Sequence, residues 1–493
     1  MSNSIFYSFL LALFVFELKS IGAIPYLDYG ENIVEDTTLA FNNNIDNAND
    51  QDEVLMSLHS ISADQDLNES INVESHVDES SSCSGISLDF SNMNIGSAVR
   101  NYFINGSYVQ NLSLAHNKIE EFDNGAFDGL SNLKYLDLSY NKLSPKKMLS
   151  FGGHATLETL IFDYNEPAKQ LKWYYEFTYS YKLTINVSLP ITVPTSNIYP
   201  KLKNLSLRGT SIIPSFDNWD ESFPSLEKLD LSYVNLENVT DSEFSRSFPS
   251  SVKILILKNT KVKKSTLYNA LFKIEELDVS GNSFANGLDF FGLHNLKKLN
   301  LFDNQIVNLP LFLYLYYPNI EELNISGNRI EEIDIDSFKA LNKLKVLNLS
   351  DNPLKSINFV WRLSQLNTLI LDDIQNSKVI ESLDTHSSPT HELNLKYLSL
   401  KNNNLTNLPE NFINSLKLLE EIDLSGNNLA SVTKLPTTLK TLNLQNNNIN
   451  YLDEDLLRSL SNLKEIKLGN NPIKQLEIEL ISNLPKSCIL NWE

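Results

Sequence analysis

The amino-acid sequence predicts an α/β solenoid of about 16 turns, with a parallel β-sheet on a concave face and short helices or loops on the convex face. Two observations predict it. A string of the form L-x-x-L-x-L-x-x-N-x-L returns about every 24 residues, a period typical of stacked single-unit repeats. Within each unit the apolar residues alternate over the short L-x-L core, which is the period of a strand and not of a helix.

The array opens with Val109-Leu112-Leu114-Asn117 and continues through Leu133-Leu136-Leu138-Asn141 and Leu157-Leu160-Phe162-Asn165. It closes with Leu463-Ile466-Leu468-Asn471. Between these, the Asn recurs as Asn282, Asn304, Asn328, Asn352, Asn403, Asn427 and Asn447. The two leucines of each core point to one side of a strand, and stacking parallel strands joins them into one continuous core. The Asn stands where the chain leaves the strand. Its amide both donates and accepts, so it can satisfy backbone groups freed by the turn, and stacking turns these residues into a ladder. Thr210, Val234, Thr260 and Ile374 replace it in four turns, where Thr keeps one hydrogen bond and Val or Ile none. Apolar pairs on the return arm, such as Phe127 with Leu130, Phe338 with Leu341 and Phe412 with Leu416, should fill the convex side.

The organisation follows from these repeats. Residues 1–22 read as a secretory leader, with an apolar run from Ile5 to Phe16 and small residues at Ser20 and Gly22. Residues 23–82 carry fourteen acids and no Lys or Arg up to Ser82, with no apolar period, and are expected to be disordered. Residues 83–108 form an N-terminal cap, in which Leu88 and Phe90 stand one period before Leu112 and Leu114. The repeats occupy 109–474, and 475–493 form a C-terminal cap. The rhythm is irregular at 166–201, where Leu183 and Ile185 suggest a degenerate repeat, and at 375–392, a longer insertion.

Charge and composition narrow the function. A net charge of -21 disfavours a nucleic-acid partner, because a phosphate backbone needs a basic face. No later stretch is apolar for long enough to span a bilayer, so the expectation is a released, extracellular protein. No metal-spaced Cys pair, His-Glu-x-x-His, Gly-x-Ser-x-Gly or phosphate-binding Gly loop is present, so neither an enzyme nor a cofactor is expected. His116, His154, His294 and His391 are scattered over different turns.

These repeats resemble extracellular animal leucine-rich-repeat proteins of the typical 24-residue class, over roughly Cys83 to Trp492. The resemblance implies a horseshoe whose concave face binds a macromolecule. In outline the chain is similar to the secreted mosquito leucine-rich immune proteins, which share a leader, a flexible or acidic N-terminal part and few cysteines. Their C-terminal coiled coil has no counterpart here. That likeness implies recognition in innate immunity. The alternative is an adhesive or matrix protein.

Candidate binding residues follow from the positions flanking the strand leucines, which are expected to face outward on the concave side. Aromatic and aliphatic side chains gather early, at Tyr135, Tyr140, Ile161, Tyr164, Tyr233, Ile254 and Ile256. Aromatic anchors of this kind dominate interface energies, so the partner is expected to be a protein or glycan-bearing macromolecule. Later turns carry Glu275, Glu276, Asp278, Glu321 and Glu322, interrupted by Lys297 and Lys298, which reads as a solvated face with cross-strand ion pairs. Glycosylation sequons stand at Asn68, Asn105, Asn111, Asn186, Asn204, Asn238, Asn324, Asn348 and Asn404. Cys83 and Cys488 lie at opposite ends of the array, too far apart to bridge within one chain, so each is either a free, buried cap thiol, the reading favoured for Cys488, or a link in a homo- or hetero-dimer.

Overall fold

The computed structural model describes most residues between 85 and 492, together with residues 71 and 72. The leader, most of the acidic segment, Cys83, Asn68 and Asn105 lie outside the described residues, as do 166–171, 286–292, 385–392 and 474–483.

Seventeen short strands, from Ile86–Asp89 to Ile489–Asn491, form one parallel sheet in chain order among the described residues. The sheet is open, since its first strand pairs only with Val109–Ser113 and its last only with Glu465–Lys467. The register is set by the leucines. Leu88 faces Leu112, Leu112 faces Leu136, and Leu136 faces Leu160; near the other end Leu442 faces Ile466 and Ile466 faces Leu490. From Leu112 to Ile466 these central residues are buried, and the second apolar residue of each unit, such as Leu114, Leu138 or Leu349, is buried beside them. A slip of one residue would turn the whole column to solvent, so the pattern fixes the pairing. Phe127, Leu130, Phe338, Leu341, Phe412 and Leu416 fill the other wall of the core.

The asparagine ladder joins each turn to the one before. The Asn141 amide donates to the Leu138 carbonyl (3.1 Å) and to the Leu114 carbonyl one turn back (2.9 Å), and its Oδ1 accepts the Ile119 N–H (3.1 Å). Asn165, Asn282, Asn352, Asn427, Asn447 and Asn471 repeat this arrangement. Asn304 and Asn403 likewise donate to a carbonyl one turn back and accept an N–H, while Asn117 bonds Phe90 and Ile95 of the cap. Thr210 keeps one bond, to the Leu207 carbonyl, while the Thr260 hydroxyl reaches the Leu257 carbonyl (2.9 Å) and Asn282 Oδ1 (3.3 Å).

Among the described residues the return arms between strands are turns or short helical segments. In one of the two longest helices, Glu454–Ser459, Asp453 caps the helix by accepting the Leu456 N–H (2.8 Å), and Leu456 and Leu457 are buried.

The irregular stretch at 166–201 differs from the degenerate repeat suggested by Leu183 and Ile185. Lys172–Glu176 and Lys182–Asn186 form an antiparallel pair of their own. Thr159–Ile161 pairs directly with Asn204–Ser206, so no strand of the insertion enters the main sheet. The five residues between the two strands suffice for a hairpin loop, whereas a parallel neighbour would need a return arm. Within the acidic segment, Ile71–Asn72 pairs in parallel with Phe103–Ile104.

Candidate functional site

Three residues past each strand from Val109–Ser113 to Glu465–Lys467, next to the ladder position, the backbone turns left-handed. From Asn259 to Asn470 this position holds only Asn, Asp or Gly, the residues that tolerate positive φ. In the earlier turns it holds His116 (φ 56), Tyr140 (φ 53), Tyr164 (φ 52), Gly209 (φ 62) and Tyr233 (φ 64). Bulky aromatic side chains in this conformation carry strain of about 1–3 kcal/mol each.

The strained rings stack. His116 and Tyr140 lie 4.2 Å apart at 9°, Tyr140 and Tyr164 5.0 Å apart at 22°, and Tyr164 and Tyr233 6.2 Å apart at 41°. Gly209 makes the last contact possible, since a Cβ there would lie 2.5 Å from the Tyr164 ring. Tyr140 and Tyr233 remain more than two-fifths exposed, so the row is open to solvent.

Carboxylates flank the row. In ordinary turns the residue after the central leucine is Asp or Asn and accepts the N–H two residues on, as Asp137 does from Ser139 and Asp230 from Ser232 (both 2.9 Å). In two turns it is Ile161 or Ile370, and Asp163 or Asp372, two residues on, reaches across to the next strand instead. Asp163 accepts from Ser206 Oγ (2.5 Å) and the Arg208 N–H (3.0 Å), and Asp372 accepts from Ser399 Oγ (2.5 Å) and the Lys401 N–H (3.0 Å). Burial raises both carboxyls above their ordinary range. Arg208 Nε lies 4.0 Å from Asp163 and from Asp230, with the guanidinium 6.0 Å from the Tyr233 ring centre. Tyr135, half-buried on the sheet face, has its hydroxyl pKa raised by burial and by Asp137 and Asp163.

The structure thus groups Tyr140, Tyr164 and Tyr233 and separates them from the other candidate residues. These three stand in the turns at the sheet edge, while Tyr135, Ile161, Ile254 and Ile256 are half-buried strand residues on the sheet face. His116, set aside in the sequence as one of several scattered histidines, heads the row. The signal that marks it is its place one residue before a ladder asparagine.

Beyond the row the face is ionic. Glu275 contacts Lys297 (2.7 Å) and Lys253 (3.9 Å), Glu321 contacts Lys345 (2.7 Å), and Lys298 lies between Glu276 (3.5 Å) and Glu322 (3.3 Å). Two residues before each central leucine, Lys and Glu alternate from Lys134 through Glu158, Lys203, Glu227, Lys253, Glu275 and Lys297 to Glu321, and Glu158 with Lys203 (3.6 Å) and Glu275 with Lys253 and Lys297 form ion pairs along this column. Among the sequons, Asn111, Asn204, Asn324 and Asn348 lie on outward strand positions, Asn238 and Asn404 are exposed, and Asn186 ends the insertion hairpin. Cys488 is half-buried. Among the described residues no helix is long and apolar enough to cross a membrane, and no group of His, Cys, Asp and Glu is placed to hold a metal ion.

Comparison with known proteins agrees with this geometry. Leucine-rich-repeat family models match residues 88–166, 318–377 and 437–491, a two-copy model matches 294–340, and a single-repeat model matches 394–416. Tsukushi of Gallus gallus is 25% identical over 251 residues, 48% of this chain and 58% of that protein. The crystal structure of a TLR13–ssRNA13 complex superposes with a TM-score of 0.56 at 24% identity, covering 80% of this chain and 62% of that one. The chain therefore spans less than two thirds of either relative. The parallel solenoid, its asparagine ladder and the matched repeats show a leucine-rich-repeat fold.

Proposed function

We propose that this chain is a secreted recognition protein that binds a protein partner through the edge row His116, Tyr140, Tyr164 and Tyr233. The observation that carries the reading is the strain. Three tyrosines occupy a position that the later turns fill with Asn, Asp or Gly, and folding alone gains little from them there. Exposed, pre-ordered tyrosines lose little entropy on binding and are typical interface anchors. Asp137, Asp163 and the net charge of -21 favour a partner with basic side chains over a nucleic acid. A localised row suits recognition, of the innate-immune kind implied by the resemblance above, better than adhesion along the whole array.

Site-specific photo-crosslinking tests this. A photoreactive residue at position 140 or 233, in protein incubated with extracellular fluid of the source organism, should give one defined adduct that Tyr164→Asn abolishes. Equal labelling from position 451, an exposed tyrosine outside the row, would show that the row is not the site.

A further inference from the structure

We propose a second docking surface, an apolar knuckle on the return arm at residues 307–315, that takes the apolar side of a protein segment also bearing lysines or arginines. It is independent of the tyrosine row. Of the sixteen exposed large apolar side chains among the described residues, six fall between Phe302 and Ile335. Five of these, Val307, Leu311, Phe312, Leu315 and Ile335, belong to two adjacent return arms. The arms run side by side, since Arg329 N–H donates to the Ile306 carbonyl (2.9 Å) and Leu313 N–H to the Ser337 carbonyl (3.2 Å). Clusters of exposed apolar residues on this scale mark interaction sites, whereas single ones need no explanation.

The knuckle is held out by its backbone. Leu313 is fully buried and anchors the arm, while Phe312 beside it adopts φ 132, ψ 60, a conformation glycine reaches and phenylalanine rarely does. Leu311, Phe312 and Leu315 consequently stay in solvent, and Phe312 rests edge-on against Tyr314 at 6.0 Å. Keeping a phenylalanine in a glycine conformation to expose its ring gives the folded chain nothing, which again points outward to a partner.

The charge around the knuckle selects the occupant. No charged residue lies between Gln305 and Ile320. The neighbouring arm supplies Glu331, Glu332, Asp334 and Asp336. Glu331 pairs with Lys355 and Asp336 with Lys339, whereas Glu332 and Asp334, both exposed, have no cation at ion-pair distance among the described residues, with Lys355 acting on Glu332 only from farther off. An apolar centre with an unneutralised acidic rim is complementary to an apolar segment flanked by basic residues. A second copy would set acid against acid, and an anionic bilayer would be repelled.

The full-length protein can be titrated at physiological salt with a fluorescent model helix of leucine and lysine, and with its leucine and glutamate twin, followed by fluorescence polarisation. The leucine–lysine helix should bind, and both Leu311→Ser/Leu315→Ser and Glu332→Lys/Asp334→Lys should weaken it by about tenfold or more. Tyr140→Asn should leave it unchanged, which separates this surface from the row. These side chains are exposed, so the variants should melt with the parent. Unchanged affinity in either double variant, or equal binding of the glutamate twin, would overturn the proposal. Light scattering that shows a dimer dissolved by Leu311→Ser/Leu315→Ser would assign the knuckle to a second copy instead. Flotation with phosphatidylcholine vesicles lost in the same variant would assign it to a lipid surface.

Discussion

Replacing Asn328 with alanine tests the ladder at one rung. The Asn328 Oδ1 accepts the Ile306 N–H (3.1 Å), and this N–H has no other acceptor in a fully buried residue. The Asn328 amide donates to the Leu301 carbonyl (3.0 Å), which also accepts from Asn304, to the Ile325 carbonyl (2.9 Å), which also accepts from Asn352, and to the Ser326 carbonyl (3.0 Å), which also accepts the Asp303 N–H. Alanine therefore orphans one buried donor completely and leaves three carbonyls with one partner fewer. An unsatisfied buried group costs about 1–3 kcal/mol, and the three weakened carbonyls add to it, so the loss should be about 2–4 kcal/mol. The cost is local, because each repeat leans mainly on its neighbours. Hydrogen exchange is the appropriate assay. The Ile306 amide should exchange roughly 30- to 1,000-fold faster in Asn328→Ala, with smaller changes at Ile330 and none near Asn141. If Ile306 kept its protection, the ladder would not be what satisfies the inner turn.

Further outcomes follow from the same geometry. Gly209→Ala places a methyl against the Tyr164 ring at positive φ, so it should lower stability by about 1–2 kcal/mol and weaken the near-ultraviolet tyrosine signal; an unchanged spectrum would contradict the stacked row. Tyr140→Asn should leave the melting temperature nearly unchanged or raise it. Relief of about 1–3 kcal/mol of strain offsets about 0.5–1.5 kcal/mol of stacking, so a large drop would refute the strain argument. Lys298→Glu removes ion pairs to two partly exposed carboxylates and should cost about 1 kcal/mol or less, a loss that should vanish in high salt; a larger, salt-independent loss would show that packing was disturbed. Burial holds the His154 pKa below its ordinary 6.5, so the unfolded chain takes up a proton that the folded one resists. The stability tied to His154 is present above pH 6.5 and falls as the pH drops through the lowered value. Thermal melts of the parent should therefore lose more stability below pH 6.5 than those of His154→Leu, and parallel curves would remove His154 from the account.

The sequence determined the solenoid on its own. A strand that buries every second residue beside an identical neighbour leaves a period, and the leucine columns and the asparagines from Asn117 to Asn471 carry it openly. Those constraints are local and repeated, so each turn states them again. The alternation at Leu183 and Ile185 looked the same on paper, yet alternation fixes only a strand and not its neighbour. The main sheet instead closes directly from Thr159–Ile161 to Asn204–Ser206, and Lys182–Asn186, which holds Leu183 and Ile185, pairs with Lys172–Glu176 of the same insertion. The tyrosines were visible as a composition, but not as a row. Only the register of the stacked turns brings His116, Tyr140, Tyr164 and Tyr233 within ring contact, and only the backbone dihedrals show that they sit where a side chain is strained. The outward turn at Phe312 was likewise decided in three dimensions, because exposure belongs to neighbours that sequence order does not place together, whereas the Lys–Glu pairs across the strands were legible from the repeat.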